Sequence, residues 1–197
     1  DKPPPVFSNF DVVKKNYFKE LNSKDLTDKL PDGKFMNTND LPGLIISDIL
    51  EDNDGRKFQL RGVPDIVIKF TNKNDGYGII DFKTTNLSNT KSDNYKYQLE
   101  AYAQIFKKPG ATKTASTPKL SPITHMGVLQ FFPEKIFKHQ ISDCDLKMQM
   151  CYSPLKRNEE DFFKHITNLI NFLGQEKVPD FNSNCKYCKF VQEQSNL

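Results

Sequence analysis

Residues 61–85 read RGVPDIVIKFTNKNDGYGIIDFKTT, two runs rich in β-branched and aromatic residues on either side of a polar turn. The spacing predicts strands over KFQLRGVPDIVIKF (57–70) and IIDFKTT (79–85), joined as a hairpin through TNKNDGYG (71–78). Side chains alternate across a strand, so Asp81 and Lys83 share one face, while Ile80 and Phe82 take the other and point into a core. With the turn centred near Lys73 to Asp75, Asp65 and Asp81 lie at nearly equal distances from it, and antiparallel pairing sets them roughly opposite each other. Two carboxylates facing across a sheet repel, which calls for a proton or a cation between them. A hard divalent ion answers that need: two carboxylates and a backbone carbonyl can hold it, and water bound to it can become a nucleophile. Lys83 would reach the same place, either to orient that water or to stabilise developing negative charge. Taken by itself, DFK (81–83) reads as a solvated charged face.

Outward from the hairpin, YKYQLEAYAQIFKK (95–108) aligns Tyr95, Leu99, Tyr102, Ala103 and Phe106 on one helical face, with Gln98 and Tyr102 four residues apart. Upstream, LIISDIL (44–50) reads as a strand followed by an EDNDG turn. A helix is expected from about Asp11 to Leu21, with Phe10, Val13, Tyr17 and Leu21 on its apolar face and Ser8 or Asn9 as N-cap. The segment from Asn22 to Gly43 reads as loop with at most a short helix. Downstream, PGATKTASTPKLSP (109–122) reads as a mobile surface loop, and THMGVLQFF (124–132) and DLKMQMCYSPL (145–155) as strands. In NEEDFFKHITNLINFLG (158–174), Asn158 supplies an N-cap, three acids follow it, and Gly174 marks the stop of a helix. The order helix, strands, helix, strands, helix implies a mixed sheet flanked by helices, α/β or α+β.

At 197 residues the chain fits one domain, with residues 1–43 a helical and loop part and 175–197 an irregular, cysteine-containing tail. Hydrophobic residues at 37% and sixteen Phe provide a core and argue against disorder. The net charge of +3 permits nucleic-acid binding without establishing it. No apolar run reaches the roughly 18 residues of a membrane span and no signal-peptide pattern opens the chain, so an intracellular, cytoplasmic protein without a membrane partner is expected. The opening DKPPPVF has no initiator Met, so further residues are expected ahead of Asp1.

No single triplet here is specific, but the ordered set GVPD (62–65), IIDFKTT (79–85) and QLEAY (98–102) resembles the PD-(D/E)xK nuclease superfamily, in particular its RecB-like exonuclease branch. The resemblance implies a restriction-endonuclease-like α/β core with a central mixed β-sheet flanked by helices. It implies that Asp65 and Asp81, with the backbone carbonyl of Phe82, bind Mg²⁺ or Mn²⁺, that Lys83 is catalytic, and that Gln98 and Tyr102 complete the site. The implied activity is hydrolysis of DNA phosphodiester bonds, with a helicase or another repair or defence protein as partner. A nuclease fold reduced to a non-catalytic nucleic-acid-binding or assembly module is the alternative. Lys91, Lys96, Lys107 and Lys108 are candidates to guide the DNA backbone, though each singly reads as solvated surface. The branch often adds an upstream His or acid as a metal ligand, whereas His125, His139 and His165 all follow the motif. Asp11, and after it Glu20, are the candidates for that ligand.

Cys185 and Cys188 form C-x-x-C, which supplies two of the four ligands that zinc or an iron-sulfur cluster usually needs. Relatives with a cluster commonly place one Cys before the core, and this chain has none before Cys144. Such a metal is expected only if upstream ligands exist. Otherwise the thiols are merely buried, or Cys144 and Cys151 are recruited.

Overall fold

The structure is a computed structural model, and it describes residues 5–18, 20–37, 40–85, 92–113, 116–141, 143–176, 182 and 184–195. Its centre is a five-stranded mixed sheet in the order β1-β6-β7-β8-β9. The middle strand, β7 (Tyr77–Thr84), has apolar or small residues on both faces and is buried on both, as a near-continuous apolar run requires. β6 (Ile66–Phe70) pairs antiparallel with it, Ile66 opposite Ile80 and Lys69 opposite Tyr77. A 3-10 turn at Lys73–Asp75 closes the hairpin: the Asn72 side chain accepts from the Asn74 amide at 3.1 Å, and Gly76 takes the positive φ of 66° that favours glycine. α3 (Lys96–Lys107) is the crossover to β8 (Ile123–Gln140), which runs parallel to β7, and β9 (Asp143–Leu155) returns antiparallel to β8. β1 (Gly33–Phe35) forms the far edge against β6.

A separate apolar cluster covers each face. On one, Leu99, Tyr102, Ala103 and Phe106 of α3 pack with Val67, Ile79 and Val128. On the other, Phe18 of α1 (Pro5–Phe18) packs with Ile68, Ile80, Phe82, Leu129 and Phe131. The Phe18 ring lies 5.1 Å from that of Phe82 and 6.0 Å from that of Phe131. α4 (Glu159–Leu173) starts where its sequence indicates, the Asn158 side chain accepting from the Asp161 amide at 3.0 Å. Three ion pairs tie it and the turn before it to α3: Lys96–Asp161 and Lys107–Glu159, both at 2.7 Å, and Arg157–Glu100 at 2.5 Å, with Glu100 buried. No helix among the described residues is long and apolar enough to cross a membrane.

The mixed sheet flanked by helices is as expected, but several local readings are corrected. α1 begins at Pro5 rather than near Asp11, and its expected apolar face points to solvent: Val13 and Tyr17 are 63% and 64% exposed, whereas Phe18 is at 2%. The reason is Lys14, a buried cation whose ammonium lies 5.7 Å from the Phe82 ring and 5.2 Å from the Phe131 ring, so that a charged residue occupies the core stripe. The loop expected from Asn22 to Gly43 contains α2 (Ser23–Leu26) and the edge strand β1. The strands expected over 44–50 and 57–70 are broken into β2 (Ile45–Ile46), β3 (Leu50–Glu51), β4 (Lys57–Phe58), β5 (Arg61–Gly62) and β6. β2 pairs with β5 and β3 with β4 in two small sheets, so these apolar runs serve short local ladders in place of one long strand. The flanks of the 109–122 loop are pinned, Pro109 bridging Ser47 and the Thr117 hydroxyl accepting from the Ile46 amide at 2.8 Å. The tail, expected to be irregular, carries α5 (Lys186–Ser195).

The two faces of α1 give a direct test. Phe18→Ala should cost about 3–5 kcal/mol of unfolding free energy by emptying the aromatic cluster, while Val13→Ser should stay within about 0.5 kcal/mol. Urea denaturation of both variants checks the orientation, and a Val13 variant as damaged as the Phe18 one would refute it.

Candidate active site

Pro64 has no amide hydrogen to give to a ladder, and β6 pairing stops two residues beyond it. Asp65 stands in the bend between them. Because Ile66 is opposite Ile80, continuing the register one step sets Asp65 opposite Asp81. The Asp65 carboxylate is fixed from two sides: Oδ2 accepts from the Phe82 amide at 2.8 Å, and Oδ1 lies 3.0 Å from Lys15 Nζ of α1.

Asp81 lies on the sheet face covered by α3 and is 2% exposed. Its Oδ1 accepts from Gln98 Nε2 at 3.0 Å. Its Oδ2 has Lys83 Nζ at 2.6 Å, an ion pair by distance, yet no hydrogen bond of acceptable angle reaches this buried oxygen. Burial pushes the Asp81 carboxyl above the usual carboxylate range and the nearby Asp65 charge adds to this, against the pull of Lys83. Lys83 in turn has its ammonium 4.7 Å from the centre of the Tyr95 ring.

A hydrogen-bonded chain supports this pair from α3. Gln98 Nε2 donates to the Tyr102 hydroxyl at 3.1 Å as well as to Asp81, and that hydroxyl donates to the Val63 carbonyl at 3.2 Å. Helical spacing of four residues is what sets Gln98 and Tyr102 on one line. Burial raises the Tyr102 phenol above its ordinary value, and the Asp81 and Asp65 charges act in the same direction, so it stays a donor. The ring lies directly against residue 62, where a Cβ would fall on its edge atom; glycine in GVPD is what lets Tyr102 reach the Val63 carbonyl.

The structure thus brings together Asp65, Asp81, Phe82, Lys83, Gln98 and Tyr102. The sequence reading missed two contacts, Lys15 on Asp65 and the Phe82 amide on Asp65. The first had no signal beyond a lysine on the helix before the motif, and the second follows from the hairpin register. The Asp11 side chain and Lys91 lie outside the described residues, and Glu20 is exposed in a turn. Lys96 and Lys107 pair with Asp161 and Glu159 of α4, and Lys108 is the residue that caps α3. Among the described residues no group of three or more His, Cys, Asp or Glu could hold a metal, and Cys144 and Cys151 are exposed on β9. Cys185 Sγ accepts from the Cys188 amide at 3.4 Å, which lowers the Cys185 thiol below its ordinary value.

An all-oxygen donor set of two neighbouring carboxylates, with one buried carboxylate oxygen lacking an aligned donor, fits a hard divalent cation that keeps several of its own waters. Asp65 and Asp81 would hold it, with the Phe82 carbonyl as the third protein oxygen.

A hairpin carrying paired aspartates and a lysine, backed by a Gln-Tyr helix on a mixed sheet, defines a nuclease-type core. The chain matches the PD-(D/E)XK nuclease superfamily over residues 18–192 and belongs to it. The fold is accordingly restriction-endonuclease-like, and the family's nucleases generally use divalent metals. No curated protein matches the chain. Among solved structures, the crystal structure of SSO0001 is similar at 16% identity and a TM-score of 0.48, over 95% of this chain and 68% of that one, a likeness too loose to bear on the site.

Because the folded-state value of Asp81 lies above the unfolded one, its ionised carboxylate costs stability at neutral pH, and the cost fades as pH falls through the folded value. In chelator, Asp81→Asn should therefore melt higher than wild type at neutral pH, with the gap closing in acid. Mn²⁺ at about 100 times its dissociation constant should stabilise wild type by about 2.7 kcal/mol and leave the Asn variant unmoved. Thermal melting against pH, with and without Mn²⁺, checks both; an Asn variant still stabilised by Mn²⁺ removes Asp81 from the ligand set.

Proposed function

We propose that the protein is a Mg²⁺- or Mn²⁺-dependent deoxyribonuclease of the RecB-like branch, with residues 1–197 acting as one nuclease domain. The observation that carries this reading is the convergence of Asp65, Asp81 and Lys83 at one end of the β6–β7 hairpin, with Lys83 Nζ 2.6 Å from Asp81. Membership of the nuclease superfamily supports it, and the Gln98–Tyr102 pair supports the RecB-like branch.

A bound divalent ion would act there as a Lewis acid on the phosphodiester and lower the pKa of a water. The residues of the chain do the rest. Asp65, held by the Phe82 amide and Lys15, and Asp81, held by Gln98, present their oxygens in a fixed arrangement that needs no reorganisation during reaction. Lys83, 26% exposed at its side chain and braced by Tyr95, is placed to donate to a phosphate oxygen as negative charge builds on it. Gln98 and Tyr102 position Asp81 and the Val63–Asp65 segment without touching the reacting atoms. The substrate is DNA, and a helicase or other repair or defence protein is the partner that the RecB-like branch implies.

Incubation of wild type and Lys83→Ala with single- and double-stranded DNA, in Mg²⁺, Mn²⁺ or chelator, tests this. Wild type should cleave only with metal, and Lys83→Ala should lose about 10²–10³ in rate while keeping its Mn²⁺-induced thermal shift. DNA left intact by wild type in Mn²⁺ overturns the enzyme reading and leaves a nucleic-acid-binding module.

A further inference from the structure

β8 and β9 run on past the sheet that they complete. β7 pairs with β8 no further than Thr84 opposite Phe131, whereas β8 and β9 stay paired out to Gln140 opposite Asp143, so their outer part is a two-stranded ribbon. A two-stranded ribbon standing alone is marginal in water. Directly opposed residues share a face: Pro133 with Met148 and Ile136 with Leu146 lie on the α1 side, while Lys135 with Lys147 and Phe137 with Asp145 lie on the other. On the α1 side Ile136, Leu146 and Met150 are 66%, 49% and 47% exposed, an apolar stripe open to solvent. The two edges of the ribbon differ as well. β8 carries Pro133, which has no amide hydrogen to donate, and both irregularities of the pairing, between Pro133 and Lys135 and between Lys138 and Gln140, place the extra residue on β8. β9 is the last strand of the sheet, and from Asp143 to Ser153 it has neither device and an unbroken register.

We infer that the β9 edge pairs with the β9 edge of a second copy of this chain, antiparallel about a two-fold axis at Leu146, so that the two sheets join into one. Backbone pairing and the apolar stripe supply the affinity, and the charges select the register. With the axis at Leu146, Asp145 stands opposite the partner's Lys147, and Lys147 opposite the partner's Asp145. An axis at Asp145 or at Lys147 sets a like charge against itself, and one at Cys144 sets Asp143 against the partner's Asp145. An axis at Met148 brings no opposite charges together. Asp145 and Lys147 are bound to His139 and Glu134 of their own ribbon, yet their side chains are 73% and 55% exposed, which leaves each room for a second partner. On the α1 face the two Leu146 side chains meet, Cys144 meets the partner's Met148, and the two apolar stripes become continuous. Each two-stranded ribbon thereby becomes half of a four-stranded one.

Sedimentation equilibrium of the full chain over a wide range of protein concentration tests this. Wild type should reach twice the mass of one chain. Asp145→Lys and Lys147→Asp should each weaken association about tenfold or more, and the two changes together, which restore opposite charges across the axis, should recover it. Thermal melting verifies that all three variants fold. Cross-linking reads the register directly, in a chain with Cys144, Cys151, Cys185 and Cys188 replaced by Ser. There Leu146→Cys places two thiols directly opposite each other, with Cα atoms about 4.5–5.5 Å apart and within disulfide reach. Diamide, taking up two electrons and two protons from the thiols, should convert them to a disulfide-linked dimer. Gln149→Cys, whose two copies lie about 20 Å apart along the strands, should stay unlinked. A monomer at every concentration, a dimer indifferent to both charge reversals, a double variant no stronger than the single ones, or Leu146→Cys linking no better than Gln149→Cys overturns the inference.

Discussion

Burial of β7 on both faces is the constraint from which the rest of the molecule follows. A strand in the middle of a sheet, with α3 over one face and α1 over the other, has no solvated side on which to place a charge. Asp81 therefore sits among core residues, and its carboxylate must be met by groups that the fold itself provides. Gln98 arrives from the helix that covers this face, and Lys83 from two residues along the same strand. Asp65 arrives because the hairpin register leaves it opposite Asp81, and its second carboxylate adds repulsion that the two lysines only partly relieve. The scaffold holds a polar arrangement that by itself opposes folding.

That tension shows in how the two apolar clusters are distributed. The α1 side is aromatic, with Phe18, Phe82 and Phe131 meeting edge to face or tilted, and it absorbs even a cation in Lys14. The α3 side combines aliphatic packing around Leu99 and Ile79 with the Gln98–Tyr102–Val63 hydrogen-bonded chain. Because Tyr102 belongs to the core cluster and to that chain at once, packing of the helix and placement of the site are one event.

What the sequence made legible depends on how local the determining physics is. The register of Asp65 against Asp81 was readable because a turn with its own chemistry, Asn72 through Gly76, fixes the hairpin, and strand parity does the rest. The Gln98–Tyr102 pair was readable because a spacing of four residues on a helix needs no tertiary information. The orientation of α1 was not, since Lys14 looks like a surface residue until three rings are found around its ammonium. β1 escaped because Gly33–Phe35 is a strand only by virtue of the β6 edge it covers. Likewise the division of residues 44–62 into four short strands is set by their pairing partners and not by their composition.

The same distinction separates the carboxylate pair from the cleft next to it. The carboxylate pair is built from one hairpin and one helix, contiguous over residues 62–102, and its chemistry can be read from order and spacing. The cleft of about 320 Å³ beside it draws on α1, β1, residues 41–43 and the 63–66 segment, regions that meet only when the chain is folded. Asp65 is where they join: its Oδ2 is tied to the hairpin through the Phe82 amide and its Oδ1 to α1 through Lys15. Any shift of α1 on the aromatic face therefore moves one wall of the cleft and one of the two bonds that orient Asp65. The packing of Phe18 is thereby linked to the orientation of the Asp65 carboxylate.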